Sequence, residues 1–294
     1  MSNSTEDYYF LKVVISRVNI VIAFIGVVSN LLALYVLAHS KLIQIPFVAY
    51  IVNILLADIG SAANTSIYWT YLYMLSNGKI RYCQPIGYLV HVTYSVSNLS
   101  LMIFAFERFL LLTFPLKFQA FSRKAVVILM TLSWIISILI EVPVYFKYDE
   151  LLIDGEIYCL ILSIEGLKAV VITFIEMFWE WAIPSVTLIF LNGGILLALV
   201  RRKLNSQSRK NNDGGVARAL VLSCLLQVVC PFPRSVMALL VRYEVVAIPY
   251  AIYLAASSTV IILSHSLNAY LFMMSWSKLK SAYLQMFCLR KEKL

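Results

Sequence analysis

Residues 46–74 read PFVAYIVNILLADIGSAANTSIYWTYLYM, and the only charged residue in that stretch is Asp58. Crossing a bilayer as a helix takes about 20 mainly apolar residues, so this segment is long enough to span. A carboxylate at the middle of a span is costly and marks a function by default. Working outward in both directions, the same apolar pattern repeats until seven spans are found: 13–38, 46–74, 83–112, 125–146, 170–200, 216–241 and 246–274. A short amphipathic stretch, 276–289, follows the last. The expected fold is therefore an all-α membrane protein, a seven-transmembrane helix bundle with a short amphipathic eighth helix. A single domain is expected over 1–294, with span 1 acting as the insertion signal.

Composition supports this. Of 294 residues, 61% are hydrophobic and 13% charged, against about 45–50% and about 25% in soluble domains. With a mean hydropathy of +0.84, too little polar surface is left to coat a soluble globule. A soluble enzyme, a disordered regulator and a secreted disulfide scaffold are all excluded. Five cysteines are too few for a disulfide framework. Mid-span Pro143, Pro184, Pro231 and Pro233 are compatible with helices, because neighbouring helices and water can re-satisfy the freed carbonyls.

The net charge of +9 is a membrane signature when the charges sit on one side. The first, third and fifth connections and the tail hold Lys41, Lys117, Arg123, Lys124, Arg201, Arg202, Lys203, Arg209, Lys210, Lys278 and Lys280 with few acids. The positive-inside bias puts the N-terminus outside and the tail in the cytoplasm, as expected of a multi-pass plasma-membrane protein. Asn3-Ser4-Thr5 is a glycosylation sequon in the outer tail. Cys83 and Cys159 both face the oxidising side and could bridge span 3 to the second outer loop. Cys288, among basic residues, is a palmitoylation candidate. Cys224 and Cys230 read as small packing residues.

Asn30, Asp58, Ser97 and Asn268 lie at matched depths, about 12–18 Å from the cytoplasmic edge at 1.5 Å per residue. In lipid they are tolerated only by facing one another. With Ser264 added, Asp58, Ser97 and Asn268 form a candidate site for an allosteric Na⁺ or a proton. The alternative is a water-filled packing network. No other cofactor and no metal site are expected.

These residues carry a family resemblance. Gly26-Val-Val-Ser-Asn30, Asn53-Ile-Leu-Leu-Ala-Asp58, Cys83 with Glu107-Arg108-Phe109 25 residues on, Pro115-Leu116, Trp134, Pro184, Cys230-Pro231-Phe232-Pro233 and Asn268-Ala269-Tyr270-Leu271-Phe272 follow in order. The chain resembles a diverged rhodopsin-like (class A) G-protein-coupled receptor along essentially its whole length. The resemblance implies that Arg108, beside Glu107, meets a heterotrimeric G protein once span 6 swings outward. Asp213 would hold Arg108 at rest, or is a solvated loop acid. Departures fall at Pro231 (usually tryptophan), Ala269 (proline), Phe272 (tyrosine) and Asn192 (tyrosine), with Asn98 and Gln227 replacing apolar residues.

Toward the outer half, Glu176 and Glu180 are four apart and so share a helical face. Glu141, Val90, His91 and Arg234 complete the candidate ligand-binding set. Acids gathered in a membrane cavity must be neutralised, which suggests a cationic amine or a peptide bearing Arg or Lys. An internal Arg234–Glu180 pair is the plainer alternative. Val90 stands where the resembled amine receptors have aspartate. Span 7 has no lysine for a retinal Schiff base, leaving a neuropeptide or a small chemosensory molecule. Expected partners are an extracellular ligand, a G protein and membrane lipid, with no nucleic acid. A seven-helix transporter or channel is the alternative, though no inverted repeat is evident. HExxH, GxGD and GxSxG are missing from the spans, so no enzyme is expected.

Overall fold

Lipid offers no hydrogen-bond partners, so an apolar chain crossing it must satisfy its backbone within each segment, and helices result. The computed structural model describes the backbone of residues 2–74, 83–146, 148–153, 156–161, 175–205, 213–233, 236 and 250–287. It describes the side chains of residues 13–67, 84–146, 177–201, 215–233, 236 and 258–287. The helices are α1 (Ser2–His39), α2 (Val48–Met74), α3 (Cys83–Thr113), α4 (Arg123–Ile140), α5 (Ile183–Asn205), α6 (Asp213–Val229), α7 (Tyr250–Ser275) and α8 (Ser277–Met286). Six of the described helices are long and apolar enough to cross a membrane. The 26-residue α7 occupies the seventh predicted span.

The bundle closes into a ring. α1 packs on α2 and α7, α6 lies between α5 and α7, and α3 runs through the middle, touching α2, α4, α5 and α6. α8 lies against α7 and α1, anchored by the buried Trp276 and Leu279. The pattern of burial is reversed from that of a soluble protein. Asn30, Asp58, Ser97 and Asn268 are completely buried, while Phe24 and Phe190 on the outer faces are 66% and 70% exposed. Such a surface is stable only against hydrocarbon.

Three irregularities have local causes. α4 starts on Ser122, whose Oγ accepts a hydrogen bond from Ala125 N at 3.3 Å, the usual N-cap arrangement. It stops at Ile140 because Pro143 lacks an N–H and its ring clashes with the carbonyl four residues back. Glu141 sits at that break, and a one-turn helix, Val142–Tyr145, follows. The predicted fourth span, 125–146, is therefore two helical pieces. Beyond it, β1 (Tyr148–Ile153) and β2 (Glu156–Ile161) form an antiparallel hairpin that pairs Tyr148 with Ile161 and Ile153 with Glu156. This hairpin, expected only as a loop, adjoins α3 and α2 and marks one end of the bundle. The third irregularity is a π-helical stretch, Ile175–Ala182, leading into α5. Such wide turns are frequent at functional sites.

Close helix contacts fall on glycines. A Cβ on Gly194 would meet the Phe109 ring, joining α5 to α3, and one on Gly26 would meet Ser266 Oγ, joining α1 to α7. At Gly215 the obstacle is the backbone oxygen of Ser275, which cannot rotate away. Gly215→Ala should therefore lower the unfolding midpoint of the detergent-solubilised protein, by the equivalent of about 1–3 kcal/mol of overpacking. An unchanged melting curve would show that α6 and α7 do not meet there.

Candidate functional site

Polar side chains gather in three places, and α3 contributes to each. In the middle, Asp58 of α2 is completely buried and is met from two helices. Ser97 Oγ donates to Oδ1 at 2.8 Å, Asn268 Nδ2 donates to Oδ2 at 2.9 Å, and His265 Nδ1 lies 2.6 Å from Oδ1. The imidazole and the carboxylate are thus within hydrogen-bond distance of each other. The other ring nitrogen, Nε2, has no hydrogen-bond partner among the described residues, and the ring meets Tyr94 edge-on at 5.5 Å. Asn30 ties α1 to the same point, donating from Nδ2 to Gly26 O at 2.8 Å and to His265 O at 3.4 Å.

Three of the four residues expected at the ion site thus come together. Ser264 does not join them; its hydroxyl donates to Ile261 O at 2.7 Å within its own helix. The residue missed from sequence is His265. Two signals could have found it: an ionisable group inside a span, and its position three residues before Asn268, on the same helical face. Next to this node, Asn53 fastens α2 to two neighbours, giving Nδ2 to Ser100 Oγ at 2.7 Å and accepting at Oδ1 from Trp134 Nε1 at 3.0 Å.

At the hairpin end, His91 of α3, Glu141 at the α4 break and Glu180 of the π-helical turn are all buried. One ligand-capable atom from each lies within 4.8 Å of the others. His91 Nδ1 is paired with Glu180 Oε1. Asn98 Nδ2 donates to the Glu180 carbonyl at 3.1 Å, and Tyr88 Oη donates to Ile138 O at 2.7 Å beside the break. The indoles on either side of Glu180 reach away to different helices, Trp179 to Ser95 Oγ at 3.0 Å and Trp181 to Val228 O at 3.4 Å. Trp179 and Glu180 thus both face α3, while Trp181 faces α6. Val90 is half-buried on the next position of α3. The side chains of Asn3, Cys83, Cys159, Glu176 and Asp213, and all of Arg234 and Cys288, lie outside the described residues.

At the far end of α3, Glu107 is buried and its Oε1 accepts from Phe121 N at 2.7 Å, fixing the α3–α4 connection. Arg108 lies with its guanidinium over the Phe47 ring, 4.4 Å from the centroid, and 5.2 Å from that of Phe104. An arginine over an aromatic face is held by the ring quadrupole. Phe47 also meets Trp276 at 5.3 Å, linking Arg108 to the start of α8. Phe109 packs at 6.1 Å from Phe190 of α5.

A family model described as "7 transmembrane receptor (rhodopsin family)" matches residues 29–279. Among curated relatives, the chain is 32% identical to G-protein coupled receptor 84 of Bos taurus over 129 residues, 43% of this chain and 33% of the relative. It is 24% identical over 159 residues to a GQ-coupled rhodopsin of Mizuhopecten yessoensis, 51% of this chain and 30% of the relative. It is also 24% identical over 124 residues to the tachykinin-like peptides receptor 86C of Drosophila melanogaster, 41% and 24% respectively. The chain thus spans about a third of the length of the first curated relatives it matches.

Removing one member of a buried charged pair leaves the other uncompensated, at about 3–5 kcal/mol. Asp58→Ala and His265→Ala should each lower stability to unfolding in that range, and the double substitution should lower it by less than the sum. Thermal unfolding in micelles measures all three. Additive losses would mean the two groups do not act as a pair.

Proposed function

We propose, from the premise that the chain belongs to the seven-transmembrane receptor (rhodopsin) family, that it takes up an extracellular ligand at the His91 end and passes the signal to a heterotrimeric G protein at the Arg108 end. The family and its named relatives are receptors, so the chain is a multi-pass membrane receptor and not an enzyme. The orientation that serves this reading has the N-terminus outside and α8 in the cytoplasm, in keeping with the basic connections. The observation that carries it is that α3 holds His91, Ser97 and Arg108 in three separate polar clusters. Their span is 17 residues, about 25 Å of helix.

The ligand best suited to the outer cluster is cationic, an amine or a peptide bearing Arg or Lys. Glu141 and Glu180 would receive it, with Val90 beside them; Glu176 and Arg234 remain part of the proposed ligand-binding set. The relatives' printed names include a peptide receptor and a light receptor. The peptide reading suits this chain better, because α7 contains no lysine to hold retinal. On activation α6 would move outward, and Arg108 would leave Phe47 and Phe104 for the G protein. Asp213, at the first residue of α6, would hold the resting state.

At mid-membrane the cation on Asp58 is a proton carried by His265 in place of Na⁺, since the imidazole already occupies the carboxylate. Cys83–Cys159 bridging, glycosylation at Asn3 and palmitoylation at Cys288 complete the reading.

A promiscuous G-protein reporter in cells tests it. Arg108→Ala should abolish the response to a cationic agonist at normal surface expression, and reversing the charge of Glu180 should abolish it too. A full response from Arg108→Ala would overturn the coupling role. Exchanging NaCl for choline chloride should leave the melting temperature of the purified receptor unchanged, while His265→Ser should make it depend on Na⁺. A Na⁺-dependent melting temperature in the unaltered chain would overturn the proton reading.

A further inference from the structure

We infer that His91, Glu141 and Glu180 form a binding site for a divalent transition-metal ion, Zn²⁺ by its ligand chemistry. The inference rests on the receptor reading only for its signalling consequence. One nitrogen and two carboxylate donors converge from three separate segments: the hairpin end of the regular helix α3, the break made by Pro143, and a π-helical turn. Their ligand atoms already lie within 4.8 Å of one another. Zn²⁺ binds imidazole nitrogen and carboxylate oxygen at about 2.0–2.2 Å, so small side-chain rotations would close the three around an ion. Three protein ligands leave a fourth position for water or a ligand group, as in open zinc sites. Nitrogen and oxygen donors together favour zinc over the all-oxygen preference of calcium and magnesium.

Charge points the same way. Two carboxylate groups and one imidazole are a donor set whose formal charge a divalent ion balances. A divalent ion with a neutral imidazole brings the three side chains to zero. About two turns along α3 from His91, a second polar side chain meets the backbone of Glu180. Asn98, buried and bonded to the Glu180 carbonyl, keeps an Oδ1 with no hydrogen-bond partner among the described residues. A buried acceptor of that kind calls for ordered water. Other histidines are poor rivals: His265 is engaged by Asp58, and His39 stacks on Tyr35 at the opposite end of the bundle. A cationic agonist and the metal would compete for Glu180.

The test uses the full chain, purified in lipid nanodiscs and stripped of metal. Zn²⁺ titration by calorimetry should show one saturable equivalent, and Co²⁺ at the same site should give the visible absorption of a four-coordinate ion. His91→Ala, Glu141→Gln and Glu180→Gln should each weaken binding by more than about 100-fold, beyond the loss expected for an outer-shell partner. Glu180→His, which keeps the donor count, should retain binding and guards against loss of fold. No saturable binding, or binding unaffected by all three substitutions, overturns the inference. Arg108→Ala should bind Zn²⁺ as the unaltered chain does while failing to signal. A receptor that signals but takes up no metal overturns the site alone. One that takes up metal but answers no agonist overturns the receptor reading alone.

Discussion

In hydrocarbon a polar side chain has no partner except another part of the protein, and in this molecule that constraint converges on Asp58. Its two oxygens draw Ser97 from α3 and both His265 and Asn268 from α7, while Asn30 of α1 closes on the backbone of His265. Four helices are set in rotation about their axes by one carboxylate. If α7 were turned by a single residue, about 100°, Ser264 would replace His265 and the carboxylate would lose its strongest partner. The apolar outer faces add no such directional information, because lipid accepts any of them equally well.

From that node α3 extends both ways, and the two ends differ in kind. At the Arg108 end the contacts are aromatic. The guanidinium lies over Phe47 and Phe104, and Phe47 in turn packs on Trp276. At the His91 end the contacts are ionic and buried, and the helices around them are irregular. The Pro143 break and the π-helical turn deliver Glu141 and Glu180, which regular α-helices would orient otherwise. Deviations from ideal helix geometry are concentrated where side chains must converge.

The departures from the family pattern also have structural form. With Ala269 in place of proline, every N–H needed to continue the ladder is present, and α7 runs unbroken from Tyr250 to Ser275. Phe272 is fully buried in the apolar core, where a tyrosine hydroxyl would need a partner. Asn192 donates its Nδ2 to Leu188 O within α5, while its Oδ1 has no hydrogen-bond partner among the described residues. α6 ends at Val229, ahead of the paired prolines, and Trp181 lends its indole N–H to the Val228 carbonyl there. Gln227 is buried with neither end of its amide partnered among the described residues, an arrangement suited to ordered water.

Much of this was legible in the chain itself. Apolar length against bilayer thickness determined the helices, and matched depth made it inevitable that Asp58, Ser97 and Asn268 would meet, because intramembrane polar groups have nowhere else to go. The acids and His91 could be named as candidates from residue type alone. What only the tertiary structure decided was direction. Which of two adjacent residues, Ser264 or His265, faces the carboxylate depends on the rotation of α7. Whether Glu180 turns toward α3 depends on a π-helical turn that no 3.6-residue periodicity reveals. Depth along a membrane helix is one-dimensional and can be counted from sequence. Azimuth is set by packing between helices distant in the chain, and partner choice follows azimuth.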